Sequence, residues 1–125
     1  MSALHVTHIG TVVVPVADQD RALEFYAGTL GFETRIDAPF GEGARWIEVA
    51  PAGATTTIAL VPSAGGGGGG IEVSLATTDA RADHERIVAS GVDADAALIE
   101  MGGGVPPMFT FRDPDGNPFR VVQRD

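Results

Sequence analysis

Trp46 and Glu48 alternate along Trp46-Ile47-Glu48-Val49, so on an extended strand they share a face and set a carboxylate beside an indole. Such a pair can stack on a planar or cationic group and hold its charge. An exposed strand face accounts for the same pattern without a ligand, and both readings stand. Phe40, Met108, Phe109 and Phe111 can add apolar walls, although most of them belong in a core. The chain contains no cysteine, so thiolate nucleophiles, disulfides and cysteine metal sites are excluded. No G-x-S-x-G occurs, which leaves general acid or base work to carboxylates such as Glu48 and Glu72.

Other patterns lead to less. His84-Glu85 opens like H-E-x-x-H, but Val88 stands where the second histidine belongs. His5 and His8 are three apart on an expected strand, so they point to opposite faces and cannot chelate one ion together. Asp113-Pro114-Asp115-Gly116 lacks the acidic spacing and closing glutamate of a calcium loop. It reads instead as a hairpin turn, because Pro114 presets a corner and Gly116 supplies a positive φ between two apolar runs.

The elements that must position these residues follow one pattern used twice. A strand over 6–14 leads through Asp18 to a helix ending near Gly31, then to extended stretches over 32–37, 45–50 and 55–61. A strand over 71–76 leads through Thr78-Asp79 to a helix ending near Gly91, then to stretches over 92–94, 107–112 and 119–123. Asp18 and Asp79 are expected N-caps, and Gly31 and Gly91 left-handed C-caps. Ala22, Phe25, Tyr26 and Leu30 share one helix face, and Ala80, His84, Ile87 and Val88 the other helix's, with His84 at its rim. Ile71, Val73 and Leu75 should meet the second helix, leaving Glu72, Ser74 and Ala76 on the opposite face. One domain over 1–125 is expected, built from modules 1–63 and 71–125 with a glycine-rich linker over 64–70. That glycine run leads into a strand and no Lys-Ser/Thr follows it, which disfavours a phosphate cradle. Gly102-Gly103-Gly104-Val105-Pro106-Pro107 is an irregular loop that can also serve as a mobile cover.

Composition bounds the partners. A length of 125 residues suffices to bury about two-thirds of the unfolded chain's surface. Eight basic against seventeen acidic residues give a net charge of -9, which repels nucleic acid and anionic membranes. The same field favours a cationic ligand, while solubility alone also explains it. With no leader pattern over 1–15 and no apolar run of membrane-spanning length, a cytoplasmic protein is expected.

The terminal hairpin Phe111-Arg112-Asp113-Pro114-Asp115-Gly116-Asn117-Pro118-Phe119, taken with Asp18-Gln19-Asp20-Arg21-Ala22-Leu23-Glu24-Phe25-Tyr26 and Leu30-Gly31-Phe32, resembles the vicinal oxygen chelate superfamily. That superfamily includes glyoxalase I, extradiol dioxygenases and bleomycin-resistance proteins. The resemblance implies an α+β fold of two βαβββ modules pairing curved mixed sheets around a cleft, commonly as a homodimer. Metal-using members place His or Glu ligands on the first and last strands of each module. By the family's spacing, those positions here hold Thr11, Ala59, Glu72 and Arg120. One carboxylate, a methyl and a fixed cation cannot hold a divalent metal in the family manner, so no cofactor is expected, with a divalent-metal site in a shifted register as the alternative. A register slip that brought His8 forward would also turn it to the wrong strand face. Glu72 and Arg120 can form an ion pair in place of the metal, unless one of them faces solvent.

The resemblance thus implies a metal-free small-molecule binding protein of the bleomycin-resistance kind, its ligand cationic or aromatic. Its expected contacts are Thr11, Trp46, Glu48, Ala59, Glu72, Met108 and Arg120. A glyoxalase-like lyase, isomerase or dioxygenase with Glu72 or Glu48 as acid or base is the alternative. An interaction module without a small ligand is a third.

Overall fold

The computed structural model describes residues 5, 7–39, 41, 43–63 and 72–124. Val6, Phe40, Glu42, Ile71 and the glycine-rich stretch over 64–70 lie outside the described residues. The chain divides after Ser63 into two compact units.

In the first unit, β1 (Thr11–Val16) leads to helix α1 (Gln19–Leu23), which widens into a π-helical segment (Glu24–Thr29), followed by β2 (Glu33–Pro39), β3 (Arg45–Ala50) and β4 (Thr57–Pro62). The sheet order is β1-β4-β3-β2, with β1 parallel to β4 and the other pairs antiparallel. In the second, β5 (Val73–Thr77), α2 (Ala80–Ala89), β6 (Asp93–Ala94), β7 (Met108–Arg112) and β8 (Pro118–Gln123) repeat the scheme in the order β5-β8-β7-β6. Each unit is therefore a βαβββ module with a mixed four-stranded sheet.

The caps behave as their chemistry requires. The Asp18 carboxylate accepts from the Arg21 amide at 3.1 Å and Asp79 from Ala82 at 3.0 Å, satisfying donors that a helix start leaves open. Gly31 and Gly91 close the helices at φ 77° and 78°. Between β7 and β8, Asp113 accepts at Oδ1 from the amides of Asp115 (2.9 Å) and Asn117 (2.8 Å), and Gly116 sits at φ 83°.

Three expectations are corrected. The first strand starts at Thr11 rather than Val6 and runs through Pro15, leaving His5 and His8 outside it. An edge strand tolerates a proline because alternate amides face away from its one partner. The first helix is α-helical only to Leu23; the Leu30 amide bonds Phe25 O, five residues back, at 3.0 Å. Val88, expected on the packed face of α2, is 48% exposed, whereas Ala80 is buried and His84 meets the Phe109 ring edge-on at 5.0 Å.

The two cores differ in kind. Val14, Val16, Ile47, Val49, Ile58 and Leu60 join Tyr26 in the first, while Phe109, Phe111 and Phe119 dominate the second. Phe111 and Phe119 stack at 5.3 Å.

Candidate functional site

Alternation assigns the opposite sheet faces. In the first unit, Thr11 pairs with Thr57, Val13 with Ala59, Ala59 with Glu48, and Ala38 with Trp46, so all these residues project from the face away from the aliphatic core. A connected polar network crosses it. Glu48 accepts from the Trp46 indole N–H at Oε2 (2.7 Å) and from the Thr57 hydroxyl at Oε1 (2.7 Å). The Thr57 hydroxyl lies 2.9 Å from that of Thr11. Because the proton of Thr57 goes to the carboxylate, its oxygen accepts from Thr11, and the chain runs Thr11 to Thr57 to Glu48 from one side and Trp46 to Glu48 from the other. Around this network Val13 and Ile36 remain 46% and 41% exposed.

Position by position, Trp46 and Glu48 are half-buried and joined, Thr11 is exposed and tied to the network through Thr57, and Ala59 lies fully buried between Val13 and Glu48. Thr57 was not singled out by the sequence. The available signal was its alternation with Ala59 on β4, which puts both on the face that carries Glu48.

In the second unit, Ser74 and Thr110 flank Arg120, and Ala76 and Met108 flank Val122, on the face away from the aromatic core. Glu72, one residue before β5, lies against Arg120: its Oε1 is 3.2 Å from both Nε and Nη2. Arg120 Nη1 lies 3.7 Å from the Met108 sulfur. The side chains of Arg120 and Glu72 are 41% and 44% exposed, which keeps the pair well hydrated.

These side chains do not fit a divalent ion. Ala59 offers a methyl, Arg120 a fixed positive charge, Thr11 a hydroxyl committed to Thr57, and Glu72 a carboxylate already facing a guanidinium. Among the described residues, no group of three or more His, Asp or Glu side chains is placed to hold a metal.

Each unit also braces its sheet with an arginine. Arg45 donates from Nε and Nη2 to the two oxygens of Asp37 (3.0 and 3.1 Å) and from Nη1 to Asp20 (2.6 Å), joining β3, β2 and α1. Hydrogen bonding from Arg45 holds the Asp37 carboxyl below the usual range, and the two carboxylates raise the Arg45 guanidinium. Arg112 plays the same part toward Asp95 (2.7 Å) and Asp93 (3.5 Å), and is raised chiefly by the bond to Asp95. A depression of about 470 Å³ on the second unit is lined by Gly104, Val105, Pro106, Pro107, Gln123 and Arg124, none of them an expected contact.

The family model described as Glyoxalase/Bleomycin resistance protein/Dioxygenase superfamily matches residues 8–121. The chain is 33% identical over 121 residues to the uncharacterized protein YetH of Bacillus subtilis (strain 168), covering 94% of this chain and 99% of YetH. Among solved structures, TnmS3, an antibiotic binding protein from Streptomyces sp. CB03234, is 34% identical with a TM-score of 0.82, covering 98% of this chain and 99% of that one. A superfamily member from Sphaerobacter thermophilus DSM 20745 is 32% identical with a TM-score of 0.84, covering 97% and 100%. No helix among the described residues is long and apolar enough to cross a membrane.

Proposed function

Because the chain belongs to the Glyoxalase/Bleomycin resistance protein/Dioxygenase superfamily, we propose that it is a small-molecule binding protein that works without a metal, its ligand planar and bearing positive charge. The observation that carries this reading is the Glu48 carboxylate, held at both oxygens by the neutral donors Trp46 and Thr57. Neutral donors leave its charge uncompensated, so a cation stacked near the indole gains both Coulomb attraction and aromatic contact. The net charge of -9 adds a weak field of the same sign. The likeness to TnmS3, an antibiotic binding protein, supports a drug-like ligand over a small metabolite.

The enzymatic alternative asks Glu48 or Glu72 to gain and lose a proton. Glu48 accepts a bond at each oxygen and Glu72 faces Arg120, which supports fixed acceptors over proton carriers. A cytoplasmic homodimer is part of the proposal on the family expectation.

The test is a thermal-shift and calorimetric screen of planar cationic antibiotics on chelator-treated protein. A ligand at a hundred times its Kd stabilises the native state by about 2.7 kcal/mol, enough for a shift of several degrees. Trp46→Ala should weaken such a ligand at least tenfold. Stoichiometric zinc, iron, nickel or manganese retained through purification, and required for binding, would refute the reading.

A further inference from the structure

We infer that Thr57, oriented by Thr11, is a positioning residue that locks the Glu48 carboxylate into a two-pronged acceptor for a fork of N–H donors on a planar ring, as in an amidinium, a guanidinium or an amino-heterocycle. The inference rests on the binding reading above and narrows its ligand class.

The geometry leads there in three steps. A carboxylate has about four lone-pair sites, and here one donor occupies each oxygen, Trp46 at Oε2 and Thr57 at Oε1, which leaves acceptor capacity on both. Those donors come from opposite ends: Trp46 precedes Glu48 by two residues on β3. Thr57 precedes Ala59, the partner of Glu48, by two residues on antiparallel β4, which places it toward Ala50. The carboxylate plane is thus held at two points and cannot turn to suit a ligand.

Thr11 fixes the direction of the remaining proton. Among the described residues, Gly10 O at 3.5 Å and the Thr11 hydroxyl at 2.9 Å are also in reach of the Thr57 proton, against 2.7 Å for Glu48. With Thr11 donating at 2.9 Å, the Thr57 hydroxyl is left to point at Glu48. A point charge such as an ammonium is served nearly as well by a freely turning carboxylate. A planar fork gains most from an acceptor whose ordering cost is already met.

Trp46 is the sole tryptophan, so its indole N–H gives one NMR signal that reports on Glu48 without any ligand. The experiment compares parent, Thr57→Val and Thr57→Ser by that signal and by the affinities of benzamidinium and benzylammonium. The expected result is an indole resonance shifted in Thr57→Val and restored in Thr57→Ser, with benzamidinium preferred about fivefold or more in the parent and in Thr57→Ser, and near-equal affinities in Thr57→Val. An indole signal unmoved by Thr57→Val in a folded protein would overturn the positioning role. Equal affinity for the two cations in the parent would overturn the forked donor while sparing the binding reading. Failure of both cations to bind at millimolar concentration, with the indole signal still responding to Thr57, would overturn the cation-binding reading and uphold the positioning. Thr57→Ser guards against misfolding, because it keeps the hydroxyl and removes only a methyl.

Discussion

The two modules share a backbone plan and handle a carboxylate in opposite ways. In the first, Glu48 is bound by two neutral donors, an indole and a hydroxyl; in the second, Glu72 faces the guanidinium of Arg120. The difference lies in the residue type at a few outward positions of β3, β4 and β8, and not in topology. It teaches that a duplicated fold can surround a carboxylate with neutral donors in one copy and with a guanidinium in the other. The cores differ as well, aliphatic in the first and aromatic in the second.

The core contrast is broken most forcefully at Phe111. Replacing this stacked, buried ring with alanine should cost about 3–5 kcal/mol, whereas Ile47→Val, one buried methyl in the first core, should cost about 0.5–1.5 kcal/mol. Urea titrations of both variants, with slopes checked for two-state behaviour, measure the two costs; a Phe111→Ala cost as small as that of Ile47→Val would mean that the ring contributes no more than a single buried methyl.

The hairpin turns differ next. Asp113→Ala removes the acceptor for two backbone amides and the Asn117 side chain, and should cost about 3 kcal/mol. The first unit's turn, where Gly53 sits at φ 78° with an Ala54 amide to Pro51 O bond of 3.0 Å, should lose only about 1 kcal/mol in Gly53→Ala.

Arg45 sharpens the comparison through pH. The Asp37 carboxyl is depressed in the folded protein, so its pairing stabilises above the unfolded value of 3.8 and is lost as pH falls through the lower folded value. Parent and Arg45→Met should therefore differ in melting temperature at neutral pH and converge as the pH falls below the depressed folded value of Asp37. A gap that persists in acid would assign the effect of Arg45 to packing of its aliphatic stem.

Least is expected of Arg120. Its exposed pair with Glu72 is worth under about 1 kcal/mol, so Arg120→Ala should leave stability nearly unchanged. If Arg120 lines the ligand face, the same substitution should raise affinity for cationic ligands modestly, because Glu72 would lose its counter-charge. Parental stability and affinity together would remove any role for this pair in binding.

Much of the fold was legible because its signals are local. Asp18 and Asp79 cap their helices, Gly31 and Gly91 take positive φ, and Asp113 to Asn117 turns the terminal hairpin, each within a few residues of the pattern that announced it. Alternation also placed Trp46 and Glu48 on one face. Strand ends were less legible: Thr11 becomes a strand residue through its partner Thr57, which lies 46 residues away.

By itself the sequence determined the repeat, the caps and the turns, since these depend on side-chain identity and neighbouring backbone angles. Tertiary structure alone decided that the Thr57 hydroxyl reaches Glu48 and that Glu72 reaches Arg120. Both joins cross between strands distant in the chain, and strand register, a product of packing the whole sheet, selects which side chains meet.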